Sequence, residues 1–212
     1  MTAHSAATGQ SSSGSGNSQS DKRVRILAAA ETVFAERGFF NAKVSQIAQE
    51  AGVADGTIYL YFKSKDDVLI SLFENRMAQV CAQMIENVAA AETPTQKLES
   101  FIHTHLHMVE EHPNLAEVLT VELRQSAKFM KGHPNPQFGE YLKILATIIA
   151  DGQEAGAFDS DVPAQIAARG IFGMVDELAL AWLLGAEQKF DIVRAADWVG
   201  TLILRGLERK KL

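Results

Sequence analysis

Residues 44–63 read Val-Ser-Gln-Ile-Ala-Gln-Glu-Ala-Gly-Val-Ala-Asp-Gly-Thr-Ile-Tyr-Leu-Tyr-Phe-Lys, and this stretch decides the fold of the 212-residue chain. Its residue sizes match the steric needs of a helix-turn-helix. Ala48 lies where the second short helix passes closest, and Gly52 lies at the turn, where glycine most easily adopts a positive φ. Apolar residues clamp the two short helices against a preceding helix: Val44, Ile47, Ala51, Val53, Ile58 and Phe62.

The polar side of this stretch is typical of a DNA-binding surface. A short helix fits the major groove, about 12 Å wide, where its first residues reach base edges while hydroxyls and lysines hold phosphates. Lys43 and Ser45 open the preceding helix, whose N-terminus also favours phosphate. Asp55 repels phosphate, so its predicted role is to read a base donor such as cytosine N4. The predicted DNA-contacting residues are Lys43, Ser45, Gln46, Asp55, Gly56, Thr57, Tyr59, Leu60, Tyr61, Lys63 and Lys65.

Each of these residues also has a purely structural interpretation. Tyr59 and Tyr61 could be half-buried packing aromatics, and Lys63 and Lys65 could form an ordinary solvated start to the next helix. The whole set in this order favours DNA binding over that alternative.

Charge is distributed unevenly along the chain, whose formal net charge is −6. Residues 1–65 carry seven Lys or Arg against five acidic residues, a net +2, so the remainder carries −8. A mildly basic N-terminal region on an acidic body is compatible with a nucleic-acid partner, which the average charge alone would argue against.

Helical spacing recurs on both sides of the central stretch, and no sustained alternation of apolar and polar residues indicates a strand. Upstream, a helix is predicted over 26–37, ended by Gly38 as its C-cap. Downstream, Ser64 with Asp67 begins a long helix to about residue 90, and Thr93 with Gln96 begins one to about residue 111.

Prolines and glycines divide the remaining chain. Helices are predicted over 113–130, 137–154 and 163–184, and a last one from Asp191, with a short linker over 151–162. The predicted fold class is therefore all-α with about nine helices. Its N-terminal three-helix helix-turn-helix domain spans 21–65, and its C-terminal helical domain for ligand binding and dimerisation spans 66–212.

The ends and the cysteine content restrict the class of protein. Residues 1–20 are rich in Ser, Gly, Ala, Gln and Asn, so they are predicted to be a disordered tail and not a signal peptide. No segment is long and apolar enough to cross a membrane. The single Cys81 excludes an intrachain disulfide and favours a reducing compartment. We expect a cytoplasmic protein.

Residues 25–72 resemble the N-terminal domain of TetR-family repressors. The resemblance rests on Phe34, Gly38, Ile47-Ala48, Ala51-Gly52-Val53, Gly56-Thr57-Ile58-Tyr59 and Tyr61-Phe62-Lys63-Ser64-Lys65. Lys43 departs from the pattern, because Ser or Thr usually holds that position, and this weakens the expected helix cap. The resemblance implies a repressor that binds a palindromic DNA operator as a homodimer.

It also implies that the last two helices pair with their copies in a second subunit as a four-helix bundle. The mixture of small and large residues along them permits close approach, although a purely intramolecular core is the alternative. The residues concerned are Gly170, Gly173, Ala179, Ala181, Trp182, Trp198, Gly200 and Gly206.

Residues 52–63, 67–73, 121–126 and 171–177 are similar to the FadR subfamily of TetR-type fatty-acid-degradation regulators. This implies control of fatty acid metabolism and release of DNA by long-chain acyl-coenzyme A. The rival interpretation is a repressor that responds to another hydrophobic drug or metabolite.

Two further patterns fit an acyl-coenzyme A inducer. Arg124, Lys128 and Lys131 fall on one face of a predicted helix and suit the phosphates of a ligand. Apolar side chains of nearby helices are predicted to line a tunnel for the acyl chain, although such stripes are more often plain core. They are Phe101, Leu106, Met108, Phe129, Phe138, Ile144, Phe172, Met174 and Trp182.

Histidines suggest a competing class of function. His103 and His107 are spaced to share one metal ion, but two imidazoles do not complete a site, and His105 points to another face. A His-dependent hydrolase is disfavoured as well, because no nucleophile elbow, P-loop or paired-carboxylate motif is present. The sequence therefore predicts a binding protein with no metal and no cofactor besides its inducer, and not an enzyme.

Overall fold

The computed structural model of the chain describes residues 14–122, 136–185 and 190–208. Within these ranges the chain is all-α, as predicted, and an isolated bridge between Phe158 and Glu208 is its one β-type pairing. The helices are α1 Gly14–Asn41, α2 Val44–Glu50, α3 Asp55–Ile58, α4 Lys65–Ala89, α5 Pro94–Glu111, α6 Pro113–Glu117, α7 Pro136–Glu154, α8 Ala164–Leu184 and α9 Ile192–Leu207. A π-helical turn, Val118–Glu122, continues α6.

Helices α1 to α3 form a unit, here called the head, around a small apolar core. Ala48 is fully buried where α2 meets its neighbours, and Gly52 has a φ of 64°, as the helix-turn-helix requires. Ile47, Ile58 and Phe62 are buried with Ala48, whereas Val44 and Val53 are partly exposed at the edge of the core.

Helix α1 starts earlier than predicted and is interrupted near its end. Residues 14–20, which were predicted to be part of a tail over 1–20, belong to this helix, and the first thirteen residues lie outside the described range. Gly38 interrupts the helix with a φ of 71°. One further turn to Asn41 follows, held by the Ala42 N–H donating to the Gly38 carbonyl at 3.1 Å.

The predicted helix starts in the rest of the chain, here called the body, are confirmed by capping hydrogen bonds. Ser64 Oγ accepts from the Asp67 N–H at 3.2 Å at the start of α4. Thr93 Oγ1 likewise accepts from the Gln96 N–H at 3.2 Å at the start of α5. An Asp191 carboxylate oxygen accepts from the Arg194 N–H at 3.0 Å at the start of α9.

Helix α5 lies at the centre of the body and contacts α4, α7, α8 and α9. Its inward face buries Leu98, Phe101, Ile102 and Leu106 completely. The helix predicted over 113–130 is described only to Glu122, where α6 has passed into the π-helical turn.

The predicted linker over 151–162 is shorter than expected and well packed. Helix α7 continues to Glu154, and the chain then folds back so that Phe158 is buried against Gly152. A β-carbon at Gly152 would lie 2.1 Å from the Phe158 ring, so this position requires glycine. The Asp159 N–H donates to the Leu207 carbonyl at 2.8 Å and so joins the loop to the end of α9.

The head and body are joined through α1 as well as through the start of α4. Helix α1 packs against α4, α6 and the π-helical turn. Arg76 of α4 forms an ion pair with Glu31 of α1 at 2.6 Å. Glu122, which is 5 % exposed, accepts a hydrogen bond from the Phe39 N–H just after the Gly38 kink.

No helix among the described residues is long and apolar enough to span a membrane.

Candidate DNA-binding surface and ligand cavity

The exposed side of α2 and α3 carries most of the residues predicted to contact DNA. Tyr59 is 60 % exposed and Leu60 is 78 % exposed, although Ile58, which precedes them, is buried in the core. Open space surrounds Gly56, so α3 can approach a base pair closely at that position. The remaining exposed members of the predicted set are Lys43, Ser45, Asp55 and Lys63.

Three predicted residues have more structural roles. The Gln46 side-chain oxygen accepts from the Lys43 N–H at 2.9 Å and so caps α2 where the usual Ser or Thr is missing. Tyr61 is half-buried against the head core, with its ring 6.4 Å from that of Phe62. Thr57 is also only partly exposed. Of the two tyrosines, Tyr59 therefore presents much the larger surface to a DNA partner.

Lys65 was predicted to contact phosphate, and in the structure its ammonium binds backbone carbonyls at the end of α1. Its ammonium donates to the carbonyls of Phe39, Phe40 and Ala42 at 2.6, 3.1 and 2.9 Å. It also lies 4.6 Å from the centre of the Phe39 ring. These contacts use all three ammonium donors. Lys65 therefore fastens the end of α1 to the start of α4.

Two arginines of the head were not singled out from the sequence. The Arg25 guanidinium donates to the Ala51 carbonyl at 2.5 Å and so holds the turn between α2 and α3. The Arg23 guanidinium lies 5.4 Å from the centre of the Phe62 ring. Their place on α1 next to the turn is set by tertiary packing, which sequence spacing along α1 does not reveal.

A cavity of about 820 Å³ lies in the body and reaches α1 of the head. This volume is within the usual range for small-molecule sites. Four of the predicted ligand contacts line it: Leu106, Met108, Phe138 and Phe172. Residues that were not predicted also line it, including Glu31, Arg76, His105, Leu119, Thr120, Tyr141 and Asp176.

The other predicted ligand contacts are not in the wall of this cavity. Phe101 is completely buried in the core of the body, with its ring 5.2 Å from that of Tyr141. Met174 is exposed, and Trp182 is half-buried further along α8. Ile144 is half-buried and does not line the cavity either. Helical spacing identifies an apolar stripe without distinguishing packed core from cavity wall. Arg124, Lys128, Phe129 and Lys131 lie outside the described residues.

A buried polar pair stands in the aromatic part of the cavity wall. His105 Nδ1 and the Tyr141 hydroxyl are 2.5 Å apart, and the Phe172 ring lies edge-on to both side chains. Burial lowers the pKa of His105 to about 4, against a smaller opposing effect of Asp176. Burial likewise raises the pKa of Tyr141, with Cys81 and Asp176 adding to the shift. Both groups are therefore neutral near pH 7.

The position of His105 in the body could have been predicted from the sequence. It follows the buried Phe101 by four residues and so falls on the inward face of α5. The other two histidines of the predicted cluster lie elsewhere. His103 contacts Asp197 at 3.1 Å, and His107 contacts Glu111 at 3.4 Å. In the described ranges no three potential metal ligands come together.

Helices α8 and α9 expose an apolar surface on the outside of the body. Ile166 and Met174 are exposed on α8, and Trp198 and Leu202 are exposed on α9, with Trp198 62 % exposed. Of the small residues predicted to assist pairing, Gly170, Gly173, Ala181 and Gly206 are exposed. By contrast, Ala179 and Gly200 are buried within the body and Trp182 is half-buried, so these three belong mainly to the intramolecular core.

Two family descriptions together cover most of the chain. Residues 26–72 match bacterial regulatory proteins of the tetR family. Residues 73–206 match the C-terminal region of YsiA-like proteins. The boundary between the two matches falls within α4, so the first covers most of the head with the first turns of α4, and the second covers the rest of the body.

Curated and solved relatives match over nearly the full length. The fatty acid metabolism regulator protein of Bacillus subtilis is 39 % identical over 189 residues, covering 89 % of this chain and 97 % of that protein. The transcriptional repressor NicS of Pseudomonas putida is 30 % identical and covers 90 % and 95 %. The crystal structure of the regulator FadR from Bacillus subtilis with stearoyl-CoA has a TM-score of 0.80 at 38 % identity, covering 87 % and 99 %.

Proposed function

This chain belongs to the TetR family of bacterial regulatory proteins, and from that premise we propose that it is a homodimeric repressor of fatty acid metabolism genes. It binds a palindromic operator through its head and leaves it when a long-chain acyl-coenzyme A enters the body. The observation that carries the proposal is the combination of two features. The head has a packed apolar core with one side of α2 and α3 exposed, and it is joined to a body that contains a cavity of about 820 Å³.

On DNA, α3 enters the major groove with Gly56, Tyr59 and Leu60 next to the bases. Lys43, Ser45 and Lys63 hold phosphates on either side, so affinity falls steeply with salt as counterions are released. The cytoplasm, where the operator lies, is the proposed location, and the chain acts as a regulator rather than as an enzyme.

Dimerisation uses the apolar surface of α8 and α9. Trp198 and Leu202 fall one helical turn apart on α9, and the exposed glycines of α8 allow a second copy to approach closely. Two copies packed this way form a four-helix bundle and set their heads on successive turns of DNA.

The inducer assignment comes from the relative that was solved with stearoyl-CoA. We place the acyl chain in the cavity against Phe138 and Phe172, and the phosphates near Arg124, Lys128 and Lys131. Release requires that the ligand bind the arrangement that cannot bind DNA more tightly, and each tenfold loss of operator affinity needs about 1.4 kcal/mol of coupling.

DNA binding and assembly are tested together on the full chain. Sedimentation of the free protein should give a dimer at micromolar concentration, and gel shifts on a DNA site selected from a random pool should show submicromolar affinity. Gly56→Ser should change the preferred base sequence as well as the affinity. A monomer would exclude the dimer, and unchanged binding by Gly56→Ser would contradict the placement of α3.

The inducer is tested by a DNA-release titration. Palmitoyl-coenzyme A should dissociate the complex at micromolar concentration, free palmitate should be weaker, and coenzyme A alone should have no effect. Arg124→Ala should need more ligand, whereas Lys143→Ala, a change on the exposed side of α7, should not. Equal response of Arg124→Ala and the wild type would exclude the phosphate site. Release only by other hydrophobic compounds would favour the rival inducer class.

A further inference from the structure

His105 places a polar group where an acyl-chain cavity would be expected to be apolar. The residue is partly exposed and lines the cavity together with Phe138 and Phe172. The two phenylalanine rings are 5.0 Å apart, and Phe172 is 6.3 Å from the imidazole. An apolar side chain at this position would complete the aromatic wall, so the imidazole requires a separate explanation.

The hydrogen bond to Tyr141 determines which nitrogen of His105 carries the proton. Tyr141 remains a protonated phenol because burial raises its pKa, so its hydroxyl must donate to an acceptor. Among the described residues the acceptor within reach is His105 Nδ1, at 2.5 Å. A neutral imidazole that accepts at Nδ1 carries its proton on Nε2.

The Nε2–H of His105 is therefore a donor on a residue that lines the cavity. In the described part of the chain it has no hydrogen-bond partner, while no buried side-chain nitrogen or oxygen is left unsatisfied there. The atom is thus accessible to a molecule in the cavity. An unpaired donor facing an apolar ligand would lose hydrogen bonding to water without compensation, which would weaken binding.

We propose that the Nε2–H of His105 is a hydrogen-bonding subsite for a neutral oxygen atom of the acyl ligand. The inference rests on the proposed function and adds the chemical group that the cavity recognises. The oxygen is either the thioester carbonyl or a hydroxyl or oxo group along the chain, because all of these accept a hydrogen bond. The neutral imidazole favours these oxygens over a carboxylate, which would prefer a cationic partner.

The test is a double-mutant cycle in which one change is made in the protein and the other in the ligand. Affinities of the full-length protein are measured by calorimetry for stearoyl-coenzyme A, for its S-octadecyl thioether without a carbonyl, and for positional isomers of hydroxystearoyl-coenzyme A. His105→Phe removes the donor and keeps an aromatic ring beside Phe172, whereas His105→Gln retains a donor.

The wild type should bind an oxygen-bearing ligand about fivefold more tightly than its oxygen-free counterpart, as expected for one hydrogen bond. This preference should be lost in His105→Phe and partly kept in His105→Gln. A preference for the thioester over the thioether assigns the carbonyl, and a preference for one hydroxy isomer assigns the chain oxygen.

Equal ligand preferences in the wild type and His105→Phe would overturn the subsite while leaving the inducer class intact. Failure of the wild type to bind any of these ligands would instead reject the proposed function, and the subsite with it. Nitrogen NMR of the ligand-free protein provides a separate test, because a proton on Nδ1 in place of Nε2 would overturn the proposal.

Discussion

The head and the body differ in where their candidate functional residues lie: on the outer surface in the head, and around an internal cavity in the body. In the head, Phe62 and its neighbours fill the interior, and most of the residues that we propose to contact DNA are exposed around it. In the body, the residues that line the cavity surround an open space, and several of them are polar. The core of the head is therefore filled without a partner, whereas the body contains an open cavity that a ligand can fill.

The largest expected difference between the two regions is in how much the loss of one aromatic side chain lowers the free energy of unfolding. Phe62 is 2 % exposed in the filled core of the head, so Phe62→Ala should lower the free energy of unfolding by about 3–5 kcal/mol. Phe172 is only half-buried at the cavity wall, so Phe172→Ala should cost about 1–2 kcal/mol and alter ligand affinity instead. Urea denaturation of the full chain measures both values. Equal losses would mean that the cavity wall is packed like the head core.

The next largest difference is in the response to acid. The pKa of His105 is lowered to about 4 in the folded protein from an unperturbed value of 6.5, so the unfolded chain binds the proton more readily. The stabilisation from keeping this ring neutral is present above pH 6.5 and is lost as the pH falls toward 4, by about 2–3 kcal/mol.

Urea midpoints of the wild type and His105→Phe between pH 7 and 4 measure this loss. The variant should lose less stability over that range, because it lacks the imidazole that becomes protonated, while the nearby Asp176 and Tyr141 remain in both proteins. The head has no histidine in residues 14–65, so it has no matching effect. Parallel pH curves for the two proteins would contradict the buried neutral ring.

The smallest effect separates two lysines near the junction of the head and the body. Lys65→Met removes three hydrogen bonds to backbone carbonyls and should cost about 2 kcal/mol of stability. Lys63→Met changes an exposed side chain and should leave stability within about 0.5 kcal/mol while lowering the salt slope of DNA binding by about one. Denaturation and salt-dependent gel shifts measure the two effects. Loss of stability in Lys63→Met would show that its side chain is structural too.

The sequence was sufficient to predict features that depend on one residue type at one steric position. Ala48 at the helix crossing, Gly52 at the turn and the positive φ of Gly38 belong to this class, as do the caps at Ser64 and Thr93. Their partners lie within a few residues or in the adjacent helix, so the local pattern contains most of the information. That the helix resumes after Gly38 was not predicted.

Features that depend on distant packing could not be predicted in this way. A lysine at position 65 could bind a phosphate or a set of backbone carbonyls. It binds carbonyls because the end of α1, some 25 residues upstream, packs next to it. Phe101 and Phe138 are both apolar residues on helices, yet only Phe138 meets the cavity. Whether the apolar face of a helix lines a cavity depends on the distance between it and the neighbouring helices. The periodicity of one helix contains no information about that distance.

The polar contacts of α1 with the body limit how the head can move. The head is held at three places: at the start of α4, where the chain continues and Lys65 binds carbonyls of α1, at the ion pair of Glu31 with Arg76, and at the hydrogen bond from the Phe39 N–H to Glu122. Glu31, Arg76 and the π-helical turn that ends at Glu122 all border the cavity. If the contact at Glu122 opens while the other two hold, the head keeps a single degree of freedom, a rotation about the line that joins them. The direction in which the two heads of a dimer separate is then a property of that axis, and it does not depend on which ligand opens the contact.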